Sequence, residues 1–196
     1  MRQGGALALV AILAEPASAT TLGRPLNVAD LVRRSSDIVV GTVTRVADGQ
    51  TGGLAVVEVE LDVKESIRGA ARGRLNFRQL APRAPERRAD GRRYLGLVPG
   101  MPSYAKGDSV LLFLGPEGSR GLRTTVGLQQ GRFELRAGQA ENGVSNQGLF
   151  RGVTARPQDA GEAAMLATAR GGVRADALIG LVRRAVAEQW WDGGVK

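Results

Sequence analysis

The sequence predicts a mainly β domain with flanking helices, built as a small antiparallel barrel or sandwich. Three observations carry this expectation. Short β-branched or apolar segments recur from Ile38 onward, with glycine-rich turns between them. One of them, Leu54 to Val63, alternates cleanly: Val57, Val59, Leu61 and Val63 fall on one face and Glu58, Glu60, Asp62 and Lys64 on the other. After Pro157 the composition shifts to alanine-rich stretches with helical spacing.

The chain opens with a segment that reads as a secretory signal. Arg2 lies near the amine, an apolar run extends from Gly5 to Ala14, and Ala17-Ser18-Ala19 forms a small-x-small cleavage site. The apolar run is about half of what a helix needs to cross a bilayer, so the expectation is cleavage after Ala19 rather than an uncleaved anchor. That would deliver residues 20–196 to the periplasm or the exterior.

Asn27 is placed to cap a helix over 28–35, with Val28, Leu31 and Val32 on one face. Ile38 to Val46 is rich in β-branched residues, and Asp48-Gly49 offers a turn into the alternating run from Leu54. Leu75 to Leu80 predicts a third strand, with Leu75, Phe77 and Gln79 alternating against Asn76 and Arg78. A long loop over 81–106, with Pro82, Pro85, Pro99 and Pro102, interrupts the pattern. Val110-Leu111-Leu112-Phe113-Leu114 then predicts a strand buried on both faces. Further strands are expected over 122–128 and 132–136, and a weaker one over 148–154, which closes a β domain spanning 20–155.

Residues 156–196 form a C-terminal helical segment. Ala160 to Ala169 predicts a short helix stopped by Gly171-Gly172. Arg174 to Trp190 predicts an amphipathic helix with Ile179, Val182, Val186 and Trp190 on one stripe and Leu178 and Ala185 beside it. Docking onto the β domain is the expected use of that stripe. The alternative sets Trp190 and Trp191 against a partner or a lipid surface, with Arg183 and Arg184 nearby.

Composition removes several kinds of chemistry. The chain has no cysteine and no histidine, so disulfides, cysteine nucleophiles, Ser-His-Asp triads and the commonest ligands of zinc are all excluded. No phosphate-binding glycine loop, dinucleotide fingerprint or EF-hand loop is present, and no cofactor is implied. Ser103-Tyr104-Ala105-Lys106 has Ser-x-x-Lys spacing, but Pro102 before it and Gly107-Asp108 after it prevent the helix that would bring Ser and Lys onto one face. Glu58, Glu60 and Asp62 share a strand face at a spacing suited to a hard cation or an acid–base pair, which keeps a carboxylate-dependent hydrolase as an alternative.

The net charge of +8 is concentrated. Nine arginines between Arg68 and Arg93 stand against Glu86 and Asp90, so this segment holds a net +7. Arg78, Arg83, Arg87, Arg88, Arg92 and Arg93, with Tyr94, are the candidate contact surface for an anionic ligand or a partner. With only eight aromatic residues in the chain, and only Phe77 and Tyr94 near this charge, nucleic acid is not the expected ligand. Three lysines against twenty-four arginines, in a chain rich in Ala, Gly and Val, also fit a coding bias with a solvated basic loop as its result.

Ser36-Asp37-Ile38-Val39-Val40-Gly41-Thr42-Val43, the run Val57 to Gly69 ending in Arg68-Gly69, and Tyr104-Ala105-Lys106-Gly107-Asp108 leading into Ser109 to Leu114 together resemble a known family. It is the netrin-like and tissue-inhibitor-of-metalloprotease-like OB-fold domain. Gly127 to Leu135 is similar to exported bacterial proteins of this kind that lack an assigned activity. The likeness covers 37–136 and implies a small OB-like barrel that acts by binding rather than by catalysis. Metalloprotease inhibition in that family needs an N-terminal cysteine, whereas this chain has none and its expected mature end is Thr20. The function expected from the sequence is an exported, non-enzymatic binding module. The alternatives are the carboxylate hydrolase and an envelope-associated structural protein docked through its C-terminal helix.

Overall fold

The computed structural model describes residues 24–81, 86–87, 93–94 and 99–190, with side chains for all but the two short central pieces. Asn27 caps the first helix, α1 (Val28–Arg34): its side-chain oxygen accepts from Asp30 N at 2.8 Å, and the helix buries Val28, Leu31 and Val32. β1 (Asp37–Thr51) and β2 (Leu54–Arg68) follow as a long hairpin, then β3 (Gly73–Leu80) pairs along β2. A two-residue pair, β4 (Glu86–Arg87) and β5 (Arg93–Tyr94), forms a separate small sheet.

β6 (Ser109–Leu114) returns to the other side of β1. β7 (Arg132–Arg136) and β8 (Gln139–Asn142) extend the sheet beyond it. α2 (Ala160–Leu166), β9 (Val173–Arg174) and α3 (Ala175–Ala187) complete the chain, and β9 adds itself to β8. The result is an antiparallel seven-stranded sheet in the order β3-β2-β1-β6-β7-β8-β9, open rather than closed, with β3 and β9 as its edges.

β1 turns later than the sequence suggests. Asp48 and Gly49 are inside the strand, opposite Val57 and Val56, and the chain reverses at Gly52-Gly53, where φ is +52° and +74°. Two consecutive positive φ values fit the right-handed twist of a hairpin, and a Gly-Gly pair adopts them without strain. Asp-Gly is an equally good turn sequence, so the longer register was decided by strand pairing. β1 also slips register against β2 at three points, after Ile38, Val40 and Val43. At Gly41 the backbones approach so closely that a Cβ would lie 2.5 Å from Asp62 O. Such irregularities bend and twist a sheet.

The bend produces two cores, one on each face of β1 and β6. Ile38, Leu111 and Phe113, with Phe133, lie beneath α1 and α3. Val39, Val43, Leu112 and Leu114 lie on the opposite face with Val59, Leu61 and Phe77. β6 therefore buries every residue from Val110 to Leu114, as its continuous apolar run predicts. On β2 the alternation is realised in full, with Val57, Val59, Leu61 and Val63 packed inward and the charged residues outward.

Three other expectations are corrected. Residues 122–128 form no strand: only Thr125 bridges to Leu114, and a 3-10 turn over Leu128–Gly131 follows. Residues 148–154 are turns and coil. Their backbone bonds go to successive turns and to the start of α1: Arg151 N donates to Gly148 O at 3.1 Å, Val153 N to Phe150 O at 3.2 Å, Val28 N to Leu149 O at 2.8 Å and Asn27 Nδ2 to Arg151 O at 2.9 Å. Turn and helix-end donors satisfy the backbone there, so the segment needs no sheet partner. The buried stripe of α3 is Leu178, Leu181, Val182 and Ala185, rotated from the predicted one so that Ile179 and Val186 are only half-buried.

Candidate functional site

The outward face of β2 and β3 carries the charge. Glu58, Glu60 and Asp62 stand in a row on β2, opposite Arg78, Asn76 and Arg74 of β3. Two of the three carboxylates are paired with arginines. Arg78 Nε donates to Glu58 Oε1 at 2.9 Å, and Arg74 Nε lies 3.2 Å from Glu60 Oε1. Thr44 Oγ1 also donates to Glu60 Oε1, at 3.2 Å, and Arg45 of β1 is the register partner of Glu60. A shallow concavity of about 290 Å³ lies over this face, lined by both signs of charge, with Arg123 and Glu117 at its rim. Arg123 is engaged, donating to Gly115 O (2.8 Å), Ser36 Oγ (2.7 Å) and Asp37.

This arrangement makes ion pairs rather than an acid–base couple. A general acid needs a carboxyl kept protonated by burial or by a like charge, whereas arginines from two neighbouring strands face this row. Among the described residues no group of three acidic side chains is placed to hold a metal ion. Ser103 and Lys106 are both exposed, and the segment between them is coil ending in a turn rather than a helix. Asp108 accepts from Ala105 N at 2.9 Å and from Arg132 at 2.7 Å, which fixes that turn ahead of β6.

The arginine-rich segment divides. Arg68 donates to Val32 O at 2.7 Å, at the C-terminal end of α1, where a cation is favoured by the helix dipole. Arg78 is committed to Glu58. The β4–β5 pair sets Arg87 directly opposite Arg93, and Glu86 opposite Tyr94. Arg83, Arg88 and Arg92 lie outside the described residues, as do residues 1–19, the expected signal, and Trp191.

Trp190 is only 6% exposed. Its indole nitrogen donates to Glu188 at 2.8 Å and the Arg184 guanidinium sits 5.5 Å from its ring, so the expectation of a free partner or lipid contact at Trp190 is corrected. Sequence spacing places Trp190 on the stripe but cannot show that the last turn folds it back beneath Arg184. No helix among the described residues is long and apolar enough to cross a membrane.

Tyr104 is the residue whose role the sequence hides. Its ring meets Phe77 edge-on at 5.5 Å, and Arg132 lies 5.3 Å from its centroid. Burial pushes its hydroxyl well above the usual phenol range, against the opposing effect of Arg132. The hydroxyl is buried beside that of Thr125, which donates its own hydrogen to Leu128 O and keeps its lone pairs for the tyrosine. A polar signal nearby was visible in advance: Gln79 occupies a core-facing position of β3, after Leu75 and Phe77.

No family model, no curated protein and no solved structure matches this chain.

Proposed function

We propose that this chain is an exported, non-enzymatic binding module with an OB-like β domain, and that its ligand or partner is anionic. Support for the domain type comes from the long β1, bent by register slips and flanked by β2 on one side and β6 on the other. Export rests on the signal-like segment at residues 1–19. The observation that carries the ligand class is the pairing of Arg87 with Arg93 across β4 and β5, in a segment of net +7. Arginine density of this kind suits phosphate, sulfate or carboxylate groups by charge and by bidentate hydrogen bonding.

The β3 arginines are spent on Glu58 and Glu60, so binding strength concentrates in the β4–β5 pair. Elution from a heparin resin tests this division. The Arg87→Ser/Arg93→Ser variant is expected to elute at clearly lower salt, because each lost phosphate- or sulfate-type contact reduces the salt dependence of binding. Arg74→Ser/Arg78→Ser is expected to change elution much less. Unaltered elution of the first variant would sink the proposal.

A further inference from the structure

β3 ends the sheet, and its main chain faces outward at every second residue. Ala81 N donates to Ala55 O at 3.0 Å, one step beyond the pairing of Leu80 with Val56, so Gln79, Phe77 and Leu75 are the residues that turn their main-chain groups toward β2. Arg78, Asn76 and Arg74 turn theirs away. Arg78 shows the same phase from the far side, where its carbonyl accepts from Arg123 N at 2.7 Å. The segment carrying Arg123 covers that end of the strand. From Gly73 to Asn76 no strand lies beyond the edge among the described residues, and Arg74 and Asn76 are both exposed.

An open edge is a template for one more strand, and proteins guard theirs with a proline, a bulge, a charge or a covering loop. β3 contains no proline, and its pairing with β2 runs without a register shift. Its outer row is Arg74, Asn76 and Arg78, and its inner row includes Phe77 and the half-buried Leu75. Arg74 and Arg78 meet Glu60 and Glu58 through Nε, which leaves N–H donors on the terminal nitrogens of both guanidinium groups. A second copy joined edge to edge about Asn76 would set each Arg74 opposite an Arg78, like charge against like. The arginines thus guard the edge against self-pairing and leave it open to a strand of opposite charge.

We propose that the β3 edge from Gly73 to Asn76 takes up an extended segment of a partner protein as an added antiparallel strand, with acidic residues in its outer row and an apolar residue in its inner row. The two residues opposite Arg74 and Asn76 exchange main-chain hydrogen bonds with them. Their acidic side chains meet Arg74 directly and Arg78 on the diagonal, while the apolar side chain between them covers Leu75. Glu60 and Glu58 already balance much of the arginine charge, so main-chain pairing holds the segment and charge selects it. Other residues carry the arginine pair of β4 and β5, and either site can fail without the other.

The test is an NMR titration of the full, nitrogen-labelled chain with the acetylated and amidated peptide Thr-Glu-Val-Glu-Thr. Saturable shifts are expected at the amides of Arg74 and Asn76, and both should slow in hydrogen exchange. The same peptide N-methylated at its two Glu residues cannot donate to Arg74 O and Asn76 O, and it is expected not to bind. A peptide with Lys in place of Glu should bind about tenfold more weakly, and Arg74→Glu, at an exposed position, should reverse that preference. Asn76→Pro removes an outward N–H without touching the bonds to β2 and should abolish binding, with the amide signals of Val39 and Leu111 unmoved in the folded variant. Amides of Arg74 and Asn76 that ignore the peptide would overturn the site, and equal binding of the N-methylated form would overturn strand addition. Equal affinity for the Glu and Lys peptides would overturn the acidic partner. Shifts at Arg74 and Asn76 that follow protein concentration with no peptide present would give the edge to a second copy and overturn the partner as well.

Discussion

Beneath α1 and α3, buried polar side chains are tied to one another and to the backbone; in the β1–β2–β3 ribbon the inner face is apolar until Gln79 and Tyr104. On the helical side Glu162 accepts from Arg184 and, at 2.8 Å, from Gln158 N, while Asn142 and Asn146 bind the backbone and each other. Among the described buried side-chain atoms of that region, Arg184 Nε alone is without a partner. On the ribbon side, Gln79 Nε2 donates to Pro102 O at 2.6 Å and the buried Tyr104 hydroxyl lies beside that of Thr125, at the end of an apolar face. The first region uses many polar atoms to fix one fold. The second relies on apolar rows, closed by the hydrogen bond from Gln79 to the loop at Pro102.

Unequal losses on removing a polar group would sharpen this contrast. The largest effect is expected at Glu162→Gln, which leaves the Arg184 guanidinium buried without a counter-charge; a loss of ~3 kcal/mol should appear in chemical denaturation. A midpoint unchanged from the parent would show that the two regions do not differ in this way. Gln79→Met keeps the volume but removes the donor to Pro102 O, so a smaller loss of ~1–2 kcal/mol is expected. A midpoint equal to the parent's would show that this hydrogen bond does not hold the loop.

The smallest effect belongs to a surface link between the regions. Arg183 of α3 donates to Glu65 of β2 from Nε at 2.5 Å and from its second nitrogen at 2.7 Å, and this hydrogen bonding holds the Glu65 carboxyl below its ordinary range. A depressed carboxyl pKa contributes stability above the unfolded value, and that contribution fades as pH falls through the folded value. The pair is partly exposed, so Glu65→Gln should cost under ~1 kcal/mol near neutrality. Melting curves of parent and variant should converge in acid; a constant gap at all pH values would remove the linkage.

Legibility in the sequence followed the same division. Elements fixed by periodicity were readable: the Asn27 cap, the alternation on β2 and the continuous apolar run of β6 each have a local cause. Segments fixed by distant partners were not. The run from Leu122 looks like a strand by composition, yet it follows the side of β6 with a single bridge, because its backbone bonds go to Arg78 O, Phe113 O and Gly115 N. The strand over 139–142 was missed because Gln139, Glu141 and Asn142 have little β propensity and pair through the turn at Ala137-Gly138. At the site, charge density marked the arginines, but only the folded chain shows that Arg78 is paired with Glu58 and that Arg87 and Arg93 are register partners. Gln79 was visible as a polar residue in an apolar series, but its partner, Pro102 O, lies on a loop 23 residues away in the chain.

The mismatch in strand length has a dynamic consequence. β1 pairs with β6 from Asp37 to Thr42, so among the described residues β2 is its sole strand neighbour from Arg45 to Thr51. That outer stretch can open without disturbing the strands that hold the helices. Local openings of this kind have their own free energy, below that of global unfolding. Amide hydrogens from Val46 to Val57 should therefore exchange as a separate, faster group than those of Val39 or Leu111, and the tip at Gly52-Gly53 sets the end from which the molecule unzips.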